Sequence, residues 1–258
     1  MLWSDLKSEP AILQALAYAG ERPENGDQNE KRGWSEKFAD ACAITIANEF
    51  RKSKMLAKKR ILPESLAAGT EPLTPLGAGT SKRIDVTVSD PVLGLEIGAS
   101  LKGLNFVDGG SQNYDKNLTG RMYELADEVR LVHEHLPHAF MVGVFFLPLD
   151  SCKDKIERAN SSAANAVIKL RARTGRVDTA IGAHASRCDA AYVGLYTVGT
   201  EGEKYAKGVV RFMNVMTPPP RRGRPKVSDT LSLEEMVVEV VLHASGELDV
   251  QWAEPEVG

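Results

Sequence analysis

The sequence contains few of the residues that build small disulfide-linked or membrane-spanning folds. Its 258 residues include three cysteines, Cys42, Cys152 and Cys188, whose wide spacing predicts neither a disulfide framework nor a CxxC metal site. No apolar run approaches the roughly 20 residues that a membrane-spanning helix needs. The first residues, MLWSDLKSEP, lack the layout of a signal peptide. We therefore expect a cytoplasmic protein in a reducing environment, without a membrane partner.

An excess of positive charge is also missing. The chain has 32 Lys and Arg against 35 Asp and Glu, a net charge of −3. This argues against a domain that merely coats nucleic acid, since such domains are usually basic overall. It leaves room for a local basic cleft within an acidic exterior. Hydrophobic residues make up 43% of the chain, which is enough for a sizeable core.

Composition shifts predict three segments: an N-terminal helical extension over 1–34, a core over 35–216, and a basic, Pro-rich linker with a C-terminal helix and strand over 217–258. In the core we expect a helix from Ser35, a loop over 61–81, a long helix from Leu118 to His135 and a polar helix from Lys153 to Arg173. The apolar run AFMVGVFFLPL is typical of a strand covered on both faces. AAYVGLYTV and GVVRFMNVM predict two further strands, and LDVQW a last short one.

Two alternating runs around the turn SDPVLG predict a β-hairpin. In KRIDVTVS, the apolar Ile84, Val86 and Val88 alternate with polar residues, and the run from Leu93 to Leu101, which includes most of GLEIGASLKG, alternates in the same way. Because the apolar faces of both strands must join one core, their polar faces coincide. The pattern therefore predicts one polar surface that carries Asp85, Glu96, Ser100 and Lys102.

This surface has the residue types that phosphodiester hydrolysis needs. A metal ion held by carboxylates activates water and neutralises the attacked phosphate, and a nearby lysine stabilises the transition state. Such a site requires an Asp on one strand and, on its neighbour, a metal ligand and a Lys two residues apart on one pleat face. Asp85, Ser100 and Lys102 occupy these three positions.

On Asp85 in RIDVTV and Ser100-Leu101-Lys102 in ASLKG, the sequence resembles the PD-(D/E)xK nuclease superfamily, especially type II restriction endonucleases, over about residues 35–148. The resemblance implies an α/β fold with a mixed central sheet flanked by helices, as in a restriction-endonuclease-like core. It also implies dependence on Mg²⁺, for which Mn²⁺ can substitute, and a homodimer acting on double-stranded DNA. We expect a restriction enzyme or another prokaryotic or phage-encoded nuclease, accompanied in the restriction case by a DNA methyltransferase.

Ser100 departs from the family pattern, which has Glu or Asp two residues before the lysine. The missing carboxylate has three candidate donors: Glu96 on the same strand, Glu124 on the following helix, and Glu49 on the Ser35 helix. With Asp85 and Glu96 or Glu124 on the metal, Ser100 would hold a metal-bound water or position its neighbours, and Lys102 would orient the nucleophile. The substitution also leaves open a DNA-binding module that has lost activity, or a non-specific repair or phage-processing nuclease.

Two basic segments are candidates for DNA contacts. The stretch after the hairpin contains Asn105, Asn113, Lys116, Asn117 and Arg121, and is otherwise an ordinary polar loop. The second segment resembles an AT-hook, whose extended arginines enter the minor groove of A·T DNA. The alternative interpretation of this segment is a basic linker. Its basic residues are Arg221, Arg222, Arg224 and Lys226.

Overall fold

The computed structural model describes residues 3–6, 10–66, 73–77, 79–175, 184–199 and 205–247. The strand expected in LDVQW lies outside the described residues. Among those that are described, no helix combines the length and the apolar character that crossing a bilayer requires.

Two helices open the chain, α1 (Leu13–Ala19) and α2 (Gln28–Lys52). Helix α2 begins at Gln28 and not at Ser35, because Asp27 and Glu30 form a capping box. The Asp27 carboxylate accepts hydrogen bonds from the backbone N–H of Asn29 at 2.7 Å and of Glu30 at 2.9 Å. The Glu30 carboxylate accepts one from the N–H of Asp27 at 2.8 Å. The predicted start at Ser35 is therefore wrong.

The centre of the fold is a six-stranded mixed sheet with the order β1-β4-β5-β6-β7-β8, beside which β2 and β3 form a separate two-stranded sheet. Strands β5, β6 and β7 are mutually parallel, and the remaining pairs are antiparallel. The strands are β1 (Arg60–Leu62), β2 (Leu73–Gly77), β3 (Thr80–Arg83), β4 (Val86–Asp90), β5 (Gly94–Gly103), β6 (Phe140–Pro148), β7 (Ala190–Tyr196) and β8 (Val210–Asn214). The prediction of a plain loop over 61–81 is wrong where β1, β2 and β3 form.

Helix α3 (Leu118–His135) has the predicted bounds and connects the parallel strands β5 and β6. Every residue of β6 is buried, which confirms the prediction of a strand covered on both faces. The polar helix is shorter than expected. It is α4 (Ser162–Arg171), which begins where the Ser161 hydroxyl accepts a hydrogen bond from the N–H of Ala164.

Helices cover both faces of the sheet, so the predicted mixed sheet flanked by helices is confirmed. One hydrophobic cluster joins α1, α2 and α5 (Leu233–Glu247) to one face of the sheet. A second cluster joins α3 and α4 to the other face. Residues from both predicted flanking segments, 1–34 and 217–258, are buried in the first cluster together with strand residues of the core.

We expect Asp27→Ala to lower the free energy of unfolding by about 1 kcal/mol, because it removes the acceptor for two N–H groups of the first turn. Thermal or urea denaturation measures the change. Asp127→Ala is a matched control on the solvent side of α3, where Asp127 makes only an exposed ion pair with Arg130. Equal stability of the two variants would contradict the capping assignment.

Candidate functional site

Asp85 lies where the first predicted strand is interrupted. Strand β3 ends at Arg83 and β4 begins at Val86, and the chain changes face between them. Ile84 is buried on the α3 side, whereas Val86 and Val88 are buried on the α2 side, so the predicted common face of these three residues is wrong.

The register of β4 and β5 brings Asp85 to Ser100. Val86 pairs with Ala99, so the preceding residue comes beside Ser100. One carboxylate oxygen of Asp85 accepts a hydrogen bond from the backbone N–H of Leu101 at 2.5 Å.

Glu96 does not share this surface, because it occupies a β-bulge. Val88 pairs with Ile97 and Ser89 with Leu95, which leaves Glu96 as the extra residue. Leu95 consequently packs on the opposite face from Ile97, so the predicted alternation is wrong at this end of β5. Glu96 is also four residues from Ser100, or about 13 Å along an extended strand.

The Glu96 carboxylate is 1% exposed and forms an ion pair with Lys59 at 2.7 Å. Lys59 also contacts Asp90 at 3.1 Å. Burial opposes the charge on Lys59, but its hydrogen bonds to Glu96 and Asp90 raise the pKa of the ammonium group. Backbone N–H groups of Val92 and Leu93, together with Lys59, lower the pKa of Asp90 to about 2. Glu96 therefore belongs to a separate cluster and does not replace the acid absent at Ser100.

A different carboxylate, that of Glu128 on α3, reaches the polar face. One of its oxygens accepts hydrogen bonds from the Ser100 hydroxyl at 2.5 Å and from the Lys102 ammonium group at 3.0 Å. Its other oxygen is 3.5 Å from the ammonium group of Lys82 on β3. Asp85, Ser100, Lys102, Glu128 and Lys82 are called the hairpin cluster below.

The other two predicted donors face elsewhere. Glu124 is half exposed and pairs with Arg121 at 2.7 Å. Glu49 pairs with Lys52 at 2.7 Å on α2, whose apolar residues pack on the opposite side of the sheet from α3. Helical periodicity contains the missed signal: at about 100° per residue, Glu128 lies closer than Glu124 to the stripe formed by Leu118, Leu125, Val129 and Val132.

The hairpin cluster balances two carboxylates against two ammonium groups and is only partly open to solvent. The side chain of Lys102 is 11% exposed and that of Glu128 is 21% exposed, while Ser100 is buried. Charges in such a site interact more strongly than on an open surface.

The donor set of this cluster fits a magnesium ion. Within the described ranges, no group of three or more His, Cys, Asp or Glu residues is arranged to hold a metal ion. Mg²⁺ does not require such a group, since it is usually held by one or two carboxylates, water and substrate phosphate. Asp85 and Glu128 supply two carboxylates, which accept hydrogen bonds from adjacent residues of β5: Asp85 from the N–H of Leu101 and Glu128 from the hydroxyl of Ser100.

A cleft of about 970 Å³ opens beside Lys102, between the first turns of α2 and the segment that follows β5. Basic residues outnumber acidic ones among its lining residues. The charged lining residues are Lys31, Arg32, Lys102, Lys116 and Arg121, and the acidic Glu36 and Asp108. A locally basic cleft thus exists in a chain whose net charge is −3.

The first segment predicted to bind DNA divides between this cleft and the interior. Lys116, Asn117 and Arg121 line the cleft, and Asn105 is also among its lining residues. Asn105 is buried, where its amide donates to Ser35 at 3.2 Å and accepts from Tyr196 at 2.8 Å. These bonds give its side chain a structural role, and its DNA contact stays a prediction. The half-buried Asn113 has its backbone carbonyl bonded to the N–H of Asp108.

The AT-hook-like segment is packed onto the fold and is not a free linker. The Trp3 indole donates to the carbonyl of Pro225 at 2.8 Å, and the N–H of Gly223 donates to that of Cys152 at 2.8 Å. The guanidinium of Arg224 lies 4.3 Å from the ring centre of Tyr205. The central Arg-Pro pair is thus engaged internally, while the remaining basic residues of the segment are exposed, namely Arg221, Arg222 and Lys226.

Comparison with known proteins finds no family model, no curated protein and no solved structure that matches this chain. The functional argument therefore depends on the hairpin cluster and the cleft.

We expect Glu96→Ala to destabilise the fold by about 3 kcal/mol, because it removes one partner of a buried ion pair and leaves Lys59 undercompensated. The matched variant Glu124→Ala should change stability by less than about 0.5 kcal/mol, since it loses only an exposed pair. Urea titration measures both. Similar values for the two variants would contradict the separate buried role of Glu96.

Proposed function

We propose that the protein is a Mg²⁺-dependent endonuclease that cleaves phosphodiester bonds of double-stranded DNA at the hairpin cluster. The observation that carries the proposal is the contact of Glu128 with both Ser100 and Lys102. It supplies a carboxylate at the position where the sequence has serine instead of the acid of the PD-(D/E)xK pattern. With Asp85, it completes an acid–acid–lysine set.

Four residues of the cluster have distinct parts in this reaction. Asp85 and Glu128 would hold Mg²⁺, which would polarise the scissile phosphate and lower the pKa of a water molecule. The N–H of Leu101 orients the Asp85 carboxylate, and the hydroxyl of Ser100 orients that of Glu128. Lys102 donates from its ammonium group to the phosphate and stabilises the negative charge that develops on it.

Duplex DNA would contact the basic surface around the cleft. Lys116, Asn117 and Arg121 lie at the cleft, and Lys102 joins it to the hairpin cluster. The exposed Arg221, Arg222 and Lys226 add positive charge on the packed AT-hook-like segment. Contacts of this type are made to phosphates, so binding should weaken steeply with salt.

Within this class we favour a type II-like restriction enzyme or a related prokaryotic defence nuclease. A homodimer would present one hairpin cluster to each DNA strand, and a companion methyltransferase would protect the host DNA. Digestion of unmethylated plasmid distinguishes this reading from a non-specific repair or phage-processing nuclease. Discrete fragments support the former, and a smear supports the latter.

A DNA-binding module without cleavage is the second candidate. The observation that favours it is that two ammonium groups already contact the Glu128 carboxylate. Lys102 contacts both carboxylate oxygens, and Lys82 lies 3.5 Å from one of them. Ammonium groups on a carboxylate compete with a metal ion for the same oxygens. Mg²⁺-dependent cleavage by the folded protein would eliminate this candidate.

Lys102→Ala should reduce the rate of plasmid cleavage in Mg²⁺ or Mn²⁺ by roughly 100-fold or more, because it removes the cation that stabilises the transition state. DNA affinity measured in EDTA should change little. Lys52→Ala, on an exposed part of α2, is the matched control and should cleave normally. Undiminished cleavage by Lys102→Ala would refute its role.

Glu128→Gln should abolish metal-dependent cleavage, as should Asp85→Asn, since each removes a charged metal ligand. Glu124→Gln, one turn earlier on the same helix, should retain the activity of the unaltered protein. Initial rates across a Mg²⁺ titration provide the measurement. Loss of activity in Glu124→Gln, with retention in Glu128→Gln, would show that Glu124 and not Glu128 is the helical metal ligand.

A further inference from the structure

Two aromatic residues, Phe106 and Tyr114, line the same cleft as the basic residues described above. Both are half-buried. Catalysis at the hairpin cluster does not use either ring. Contacts with phosphates do not need them either, because phosphates are held by charge and by hydrogen-bond donors.

The Phe106 ring packs against a pair of stacked aromatic rings. Its ring meets the edge of Trp34 with the ring centres 5.5 Å apart, and Trp34 stacks on Phe38 at 5.1 Å. The Trp34 indole also donates a hydrogen bond to the carbonyl of Gly20 at 3.1 Å. Phe106 is therefore held by packing from behind while part of its surface faces the cleft.

Cations lie close to the Phe106 ring. The guanidinium of Arg22 is 4.8 Å from the ring centre, and the ammonium group of Lys31 is 5.7 Å from it. Arg22 is anchored by the carbonyl of Asn105 and by Glu24. Lys31 has the longer contact and itself lines the cleft, so a flat group can take its place over the ring while Lys31 turns to a phosphate.

A basic groove with aromatic platforms is typical of sites for single-stranded nucleic acid. Unpaired bases stack on such rings, whereas the bases of an intact duplex stack on each other and hide their faces. The volume of about 970 Å³ lies at the upper end of the range of small-ligand clefts, which suits a few nucleotides of one strand.

The acidic partners of the cleft cations do not prevent such binding. Lys116 pairs with Asp108, whose side chain is 16% exposed, whereas both side chains of the Arg32–Glu36 ion pair are exposed. Exposed ion pairs of this kind are weak. A strand with a phosphate at every nucleotide can therefore take the place of the Glu36 carboxylate beside Arg32 at little cost.

We propose that this cleft binds an unpaired DNA strand, with a base stacked on Phe106, and leads it past Lys102. The inference rests on the proposed nuclease function and deepens it, and it fits the repair or phage-processing alternative named above, since a restriction enzyme acts on intact duplex. The preferred substrate is then a duplex that carries an unpaired arm or frayed end next to the bond that is cut.

The test measures binding in EDTA, so that it does not depend on cleavage. Fluorescence anisotropy is recorded with three labelled DNAs of related sequence: a blunt duplex, a single strand, and a duplex with an unpaired arm. The single strand and the armed duplex should bind about tenfold more tightly than the blunt duplex. Phe106→Leu, which keeps an apolar side chain but removes the π-face, should weaken binding of these two by roughly five- to 100-fold.

Tyr123→Ala is the matched control, since Tyr123 is an exposed aromatic residue on α3 outside the cleft lining. It should leave binding of all three DNAs unchanged, and circular dichroism verifies that both variants fold. Equal affinity for blunt and armed DNA, or an unchanged affinity in Phe106→Leu, overturns the inference even if the protein cleaves duplex DNA. Strand preference without any cleavage supports the cleft and rejects the nuclease, and absence of DNA binding rejects both.

Discussion

The carboxylate of Glu128 is the contact on which the candidate site depends. It joins three elements that are distant in the chain, because it accepts hydrogen bonds from Ser100 and Lys102 on β5 and lies 3.5 Å from Lys82 on β3. Without it, the polar face of β5 would place a buried hydroxyl beside a poorly solvated ammonium group. Both groups are costly to bury without partners. One side chain of α3 therefore provides the hydrogen-bond acceptor for both polar groups of β5 and holds the site together.

Two backbone irregularities determine which side chains belong to the hairpin cluster. The change of face at Ile84 brings Asp85 beside Ser100, and the bulge at Glu96 turns the beginning of β5. A bulge shifts every residue beyond it relative to the regular alternation. Glu96 is thereby withdrawn into a stabilising cluster with Lys59, while Ser100 and Lys102 remain beside α3. The same hairpin thus has one end that contributes to stability and another that carries the candidate chemistry.

The cleft shows how an acidic protein can present a basic surface. Its cations come from the first turns of α2, from the end of β5, from the loop before α3 and from the start of α3. These elements meet because β5 leads through a loop into α3, and because the buried amide of Asn105 ties that loop to Ser35 on α2. An internal hydrogen bond therefore shapes the surface that the proposed substrate would contact.

Local pattern was sufficient for several features of this protein. The bounds of α3, the buried strand β6 and the common face of Ser100 and Lys102 follow from periodicity, which acts between residues close in the chain. Asp85 comes beside Ser100 through a change of face at Ile84 that the alternation did not predict. The capping box of Asp27 and Glu30 is an equally local signal, but the prediction of a helix start at Ser35 missed it. Three features are visible only in the tertiary structure: the contact of Glu128 with the hairpin, the pairing of Glu96 with Lys59, and the packing of the segment around Arg224. Each of these features depends on contacts between residues that are distant in the chain. A sequence pattern states which face a residue occupies, whereas the partner opposite that face is chosen by the packing of helices against the sheet.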